Sequence, residues 1–267
     1  MDRNRAIVCV IIGISAGLLS GLLGVGGGVI LIPAMIYILN LPQVQAHGTS
    51  LGVILFIALF ALVPYTSEGQ INWLIALGLA IGGVTGAPVG AVIAHRLTAA
   101  RLRSFFGVFL LLVGIRMLFD AADTLFIPGE SLLPTQVITA TGVWYAIIII
   151  LIGLITGILS GLLGIGGGII MIPAMVLLLG IEQQTAQGIS LAVIVPVALS
   201  GAITHYKHGN IRKDILFLLV IGGIIGAPIS GLLAIRLEPV ILRGVFGVLL
   251  AITGTRMAIL KQPQHQT

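Results

Sequence analysis

Residues 20–35 read SGLLGVGGGVILIPAM, and residues 160–175 read SGLLGIGGGIIMIPAM. Each copy sets four glycines within five residues inside an apolar run. A glycine in a helix interior costs about 1 kcal/mol relative to alanine, so four together stop a helix. In water such a break is an ordinary loop. Inside an apolar segment it leaves backbone N–H and C=O groups that lipid cannot satisfy, and it is tolerated only where protein or a water-filled cavity covers it.

The surrounding composition shows that the segment is of this second kind. Of 267 residues, 58% are hydrophobic and only 8% charged, with a mean hydropathy of +1.21. Soluble domains carry about 25% charged residues. No Asp, Glu, Lys or Arg occurs between Arg5 and Glu68, or between Glu130 and Glu182. A membrane-crossing helix needs about 20 apolar residues, so each run holds several. Strands of a membrane barrel would alternate polar and apolar positions, and these runs do not. The lone Cys9 excludes an intramolecular disulfide and any multi-cysteine metal site. The net charge of +5 is scattered over loops, which points to membrane orientation rather than to nucleic acid. MDRNR and its apolar sequel have a mid-chain counterpart, so they read as a first membrane helix rather than a leader.

Shifting the chain by 140 positions aligns Gly13–Met117 with Gly153–Met257 without a gap, with nearly half the positions identical. The expected organisation is a repeat at 1–119, a polar connector at 120–142 and a second repeat at 143–267. Each repeat has a glycine-split segment (7–40 and 147–180) and three further spans: 44–66, 71–95 and 99–119, then 184–205, 213–235 and 240–260. As one straight helix the split segment would reach about 50 Å, too long for a bilayer. It is either a hairpin or one broken crossing. With hairpins each half crosses an odd number of further times, so the halves are inverted. All 13 lysines and arginines except Arg116, Arg236 and Arg243 then share one side, which obeys the positive-inside rule better than the single-crossing alternative. The expected fold is therefore an all-α integral membrane protein of about eight to ten segments. It has two inverted-topology repeats, each a glycine-broken helical hairpin plus three transmembrane helices. The positive-inside rule puts both termini on the cytoplasmic side.

Inverted repeats with interrupted helices mark transporters, whose substrate sites form where the broken ends meet. A helix opening after a glycine cluster presents free N–H groups and its positive dipole end, which suits an anion. Val29 and Ile169 are expected to open such helices, aimed by Gly26, Gly27 and Gly28 and by Gly166, Gly167 and Gly168. Close helix packing also selects glycine in membranes, and it is the competing reading of either copy. A second constellation is QAHGTSLG (45–52), matched by TAQGISLA (185–192). His47, Thr49, Ser50, Gln187 and Ser190, beside Gly48 and Gly188, supply donors to a substrate, though Ser50 and Ser190 also fit helix caps. The pairing of His47 with Gln187 across the repeat favours hydrogen bonding over proton carriage at this position. GGVTGAPVG (82–90) and GGIIGAPIS (222–230) read as proline kinks, with a hinge as the lesser alternative.

The paired GLLG[VI]GGG…PA motifs, each followed about twenty residues later by AHGTSL or AQGISL, resemble the TauE/SafE (sulfite exporter-like) family. The resemblance spans nearly the whole chain. It implies a transporter of the cytoplasmic (inner) membrane, most simply an exporter, of small sulfur oxyanions such as sulfite, sulfonates or sulfoacetate, working by alternating access. Ile189 departs from the threonine seen at Thr49, which breaks the symmetry of that hydroxyl pair. The residues alone specify a small anion or polar solute. The spans offer no nucleophile, metal cluster or paired carboxylates, so no enzyme, metal or cofactor is expected. The expected partners are the bilayer and the anion, with a homo-oligomer open. An anion channel or a membrane scaffold without transport are the alternatives.

Overall fold

The computed structural model describes residues 3–94, 99–126, 142–163 and 167–259. Among these residues the chain is helical, without strands, as hydrocarbon requires of backbone that must bond within its own segment. The first half comprises α1 (Arg3–Leu23), α2 (Gly28–Tyr37), α3 (Gln43–Ser67), α4 (Trp73–Ala94) and α5 (Ala99–Phe126). The second comprises α6 (Val143–Leu163), α7 (Gly168–Pro173, continued by a π-helical turn over Ala174–Leu178), α8 (Gln183–Lys207), α9 (Lys213–Arg236) and α10 (Pro239–Ile259). Five of them, α1, α3, α8, α9 and α10, are long and apolar enough to cross a membrane. Large apolar side chains such as Leu74, Phe119 and Phe217 stand exposed on the outside of the bundle, as suits a lipid-facing surface.

Both split segments are bounded in the same way. Left-handed residues end the return helices, Asn40 (φ 54°) in one half and Gly180 (φ 64°) in the other. The N–H groups of Leu41 and Ile181 reach back six residues to the carbonyls of Met35 and Met175. Gly69 and Gly209 close α3 and α8 in a similar manner. The Arg5 guanidinium donates to Leu39 O at 3.0 Å, so the chain after the glycine turn has come back to the start of α1. The first split segment is a hairpin.

Glycines set the helix pairing. A Cβ on Gly13, Gly17 or Gly21 of α1 would fall within 2.5 Å of the backbone of Leu219, Gly223 and Ala227 on α9. The contacts advance together along both helices, so α1 and α9 run parallel at backbone contact. The same parallel seam joins α4 to α6, with Gly82 against Ile150 O and Gly86 against Leu154 O. Small residues allow such approach where no hydrophobic force separates protein from lipid. Equivalent helices, by contrast, pair antiparallel. Gly107 and Gly114 of α5 meet Gly254 and Gly247 of α10, and the start of α3 at Gly48 meets the end of α8 at His205. The operation relating the halves therefore turns one upside down, and the repeats are inverted. Since α10 returns antiparallel beside the link from α9, Arg3 and Ile259 lie on one face of the bundle. Arg5, Lys207, Arg212, Lys213 and Arg256 share that face, called the basic face below.

Three expectations shift. The return helices open at Gly28 and Gly168 rather than Val29 and Ile169, because Gly27 (φ 76°) and Gly167 (φ 75°) are the last non-helical residues. Helix α5 runs on to Phe126, seven residues past its expected end, and Arg116 and Asp120 pair one turn apart within it. Of the expected connector, residues 127–141 lie outside the described residues. Pro88 and Pro228 sit inside continuous helices, α4 and α9.

The seams yield a contrast. At Gly69 nothing lies within 4 Å of an added Cβ, whereas at Gly82 it would stand 2.2 Å from Ile150 O. Gly69→Ala should cost only the left-handed strain of about 1–2 kcal/mol. Gly82→Ala and its equivalent Gly222→Ala must push a pair of touching backbones apart, and thermal melting in detergent should show a clearly larger loss for both.

Candidate substrate site where the glycine turns meet

Helix α1 ends with Gly24 N–H donating to Ser20 O at 2.7 Å. Gly24, Gly26 and Gly27 then take positive φ, from 71° to 76°, which only glycine adopts without strain. The first N–H groups of the helices that follow have no carbonyl four residues back to accept them. The two turns meet. A Cβ on Gly168 would stand 2.9 Å from Gly24 O and from Val25 Cα, so the second turn lies on the first at backbone contact. Ser190 joins them, its hydroxyl donating to Gly24 O at 2.9 Å. Gly26 nestles against Ile54 and Ile194, which are equivalent residues of α3 and α8, and so lies close to the pseudo-twofold axis.

Around the first turn the interior is polar. Gln187 is fully buried, with its backbone against Gly24. Tyr65 Oη lies 2.7 Å from Gly21 O and 3.0 Å from Gln187 Oε1, its one proton serving both acceptors. Two further buried groups, Ser20 Oγ and Gln187 Nε2, have no hydrogen-bond partner. Beside Gly167 a cavity of only about 10 Å³ is lined by Gly83, Thr156, Gly157, Met171, Val193, Ile194 and Val197. That is room for about one water. The Thr156 hydroxyl is turned away from it, onto the carbonyls of Ile152 and Gly153. Among the described residues, the space beside Gly167 is no larger than this.

The structure thus brings Gly26, Gly27, Gly28, Gly167, Gly168, Gln187 and Ser190 round one point. Gly166 lies outside the described residues. His47, Gly48, Thr49 and Ser50 occupy the first turns of α3, toward the basic face. Thr49 Oγ1 accepts the Arg212 N–H at 3.0 Å, and Ser50 donates to His47 O at 2.8 Å. Gly48 and Gly188 are contact glycines, lying against Asn210 O and His205 in one case and Gln70 O and Tyr65 in the other. His47 is half-buried, 3.4 Å from Gln43 across one turn. Sequence reading missed Ser20 and Tyr65. Ser20 stands in the opening motif itself, and Tyr65 matches His205, a polar residue in both copies of an apolar span. That pairing was the available signal.

A multi-pass bundle whose inverted halves meet through broken helices is the architecture of a membrane transporter. The family described as Sulfite exporter TauE/SafE matches residues 1–117 and 149–267, and the chain belongs to it. It is 28% identical over 240 residues to "Probable membrane transporter protein YunE" of Bacillus subtilis, covering 84% of this chain and 88% of the relative. A "Probable membrane transporter protein" of Xylella fastidiosa is 28% identical over 93% of both chains. MJ0441 of Methanocaldococcus jannaschii, of the same description, is 26% identical over 90% of this chain and 84% of its own.

The two serines separate a cross-half bond from a local one. Ser190→Ala leaves Gly24 O buried without its donor and should cost about 1–3 kcal/mol in thermal melting. Ser50→Ala removes a bond within one helix and should be close to neutral.

Proposed function

We propose that the chain exports small sulfur oxyanions, sulfite and organic sulfonates such as sulfoacetate, bound where the two glycine turns meet. One observation carries the reading: at the first turn Gly21 O and Gly24 O already accept hydrogen bonds, from Tyr65 and Ser190, while the buried Ser20 hydroxyl has no partner. Gln187 Nε2 is likewise without one. An anion finds a hydroxyl, an amide and the N–H groups at the start of α2, a ten-residue helix whose positive end favours negative charge. Tetrahedral and pyramidal oxyanions present several acceptors to such a cradle. The family name supports sulfur chemistry over other anions.

The small cavity favours a carrier, in which the turns separate alternately toward each side, over a standing pore. The positive charge on the basic face supports a cytoplasmic location for both termini. Expelling an anion from a negative interior is favourable by about 2.3 kcal/mol per charge per 100 mV, so membrane potential alone suffices as driving force. Flux at fixed potential should then be indifferent to sodium and pH gradients.

Ser20→Ala tests the site without harming the fold. An unpartnered buried hydroxyl stabilises nothing, so the variant should melt at or above the parent temperature. Its affinity should fall about tenfold for whichever of sulfite, sulfate, taurine, sulfoacetate and thiosulfate the parent binds, read by ligand-induced thermal stabilisation and by counterflow in liposomes. Unchanged affinity in a well-folded variant would remove the cradle.

A further inference from the structure

The shift of 140 residues that relates the halves makes each polar residue at one end of the α3–α8 pair answer to one at the other end. Tyr65 corresponds to His205, Gln187 to His47, Thr185 to Gln45, Gln70 to Asn210 and Ser190 to Ser50. The two ends are not bonded alike. At the end away from the basic face, four side-chain bonds tie separate elements together. Tyr65 reaches Gly21 of α1 and Gln187 of α8. Thr185 Oγ1 donates to Gln70 Oε1, in the link after α3, at 3.0 Å, and Ser190 holds the first glycine turn.

At the basic-face end the equivalent groups are loose. His205 Nδ1 is buried without a partner, packed on the Cα side of Gly48. Gln45 Oε1 is likewise buried and unpartnered. His47 meets only Gln43 of its own helix, at 3.4 Å, and Ser50 spends its proton on His47 O. Among the described residues, the one side-chain bond there between the halves is Arg212 N–H to Thr49 Oγ1. Nearby charges are already engaged: Arg212 pairs with Asp214 at 2.8 Å, and Lys213 lies over the Tyr206 ring at 4.8 Å.

We propose that Tyr65 is a positioning residue for transport: it latches the end of the site away from the basic face, so that the His47–His205 end is the one that opens in the resting protein. The physical reason is a difference in what separating the helices breaks. Opening the Tyr65 end strips acceptors from a buried phenol and from the Ser190 and Thr185 hydroxyls, each a net loss. Opening the histidine end breaks one bond. Buried groups without partners stand at both ends, Gln45 Oε1 and His205 Nδ1 here and the Gln183 amide and Gln187 Nε2 at the other, so the difference lies in the bonds broken. The sequence placed different polar residues at several pairs of equivalent positions, Tyr65 and His205 among them, and those differences bias two otherwise similar conformations. The inference rests on the transporter reading but not on its substrate.

Sidedness of a reporter tests it. Ile194 is buried beside Gly26 near the axis, so Ile194→Cys in a Cys9→Ser background reports access to the site from either face. Inside-out vesicles and intact spheroplasts present opposite faces of the full chain to a membrane-impermeant maleimide. Labelling should proceed from the basic face and be slow from the other. Tyr65→Phe should raise labelling from the other face about five- to tenfold, the population shift expected for one lost bond. Thr185→Val, which loses the Gln70 bond outside the site, should shift it in the same direction. His205→Phe should leave the preferred face unchanged. Parent labelling from the opposite face, from both alike or from neither overturns the proposal. So does unchanged sidedness in both Tyr65→Phe and Thr185→Val. Because no ligand is added, a failed oxyanion cradle would leave these results as they stand.

Discussion

Backbone that breaks inside an apolar interior must find its hydrogen bonds in protein, and this requirement organises the molecule. A glycine turn interrupts the first helix of each half, and the first turn is covered in part by its own Ala16 and Ile54 and in part by the other half. The turn at Gly24 rests on Gln187, receives the hydroxyl of Ser190 and touches Gly168, all from the second half. The halves are bound to each other because each would otherwise leave polar backbone exposed to hydrocarbon.

The glycine seams make that mutual covering possible. Because α1 and α4 meet α9 and α6 at backbone contact, the hairpin helices of one half pack on the fourth helix of the other. The glycine motif therefore has two jobs at different residues. Gly13, Gly17 and Gly21 are packing residues, absent of side chain so that α9 can approach. Gly24, Gly26 and Gly27 are conformational, taking φ values that a side chain would strain. Packing and turn formation are consecutive jobs of one stretch.

Symmetry brings polar side chains to equivalent places in the two halves, and its violations are what our proposed preference for one face rests on. Tyr65 opposite His205, and Gln187 opposite His47, place bonded groups at one end of a crossing and unbonded ones at the other. A perfectly repeated chain would have no preferred face. The divergence of a few polar residues suffices, since a bond or two is comparable with the energy that separates two states of a carrier.

Much of this was legible in the residues. Repetition at a fixed offset established two like halves, the distribution of arginine and lysine distinguished hairpin from single crossing, and glycine clusters in apolar sequence located the breaks. These are properties of composition, period and charge, which a chain carries before it folds. What only tertiary structure decided was partnership. That Ser190 would bond Gly24, that Gln187 would answer Tyr65 rather than act beside His47, and that Ser20 would be left a free donor depend on which helices lie together. Thr49 showed the same limit: a hydroxyl in the right motif holds the Arg212 N–H instead. A side chain's position along a helix follows from the sequence, but its hydrogen-bond partner comes from another helix more than a hundred residues away, and only packing brings the two within 3 Å.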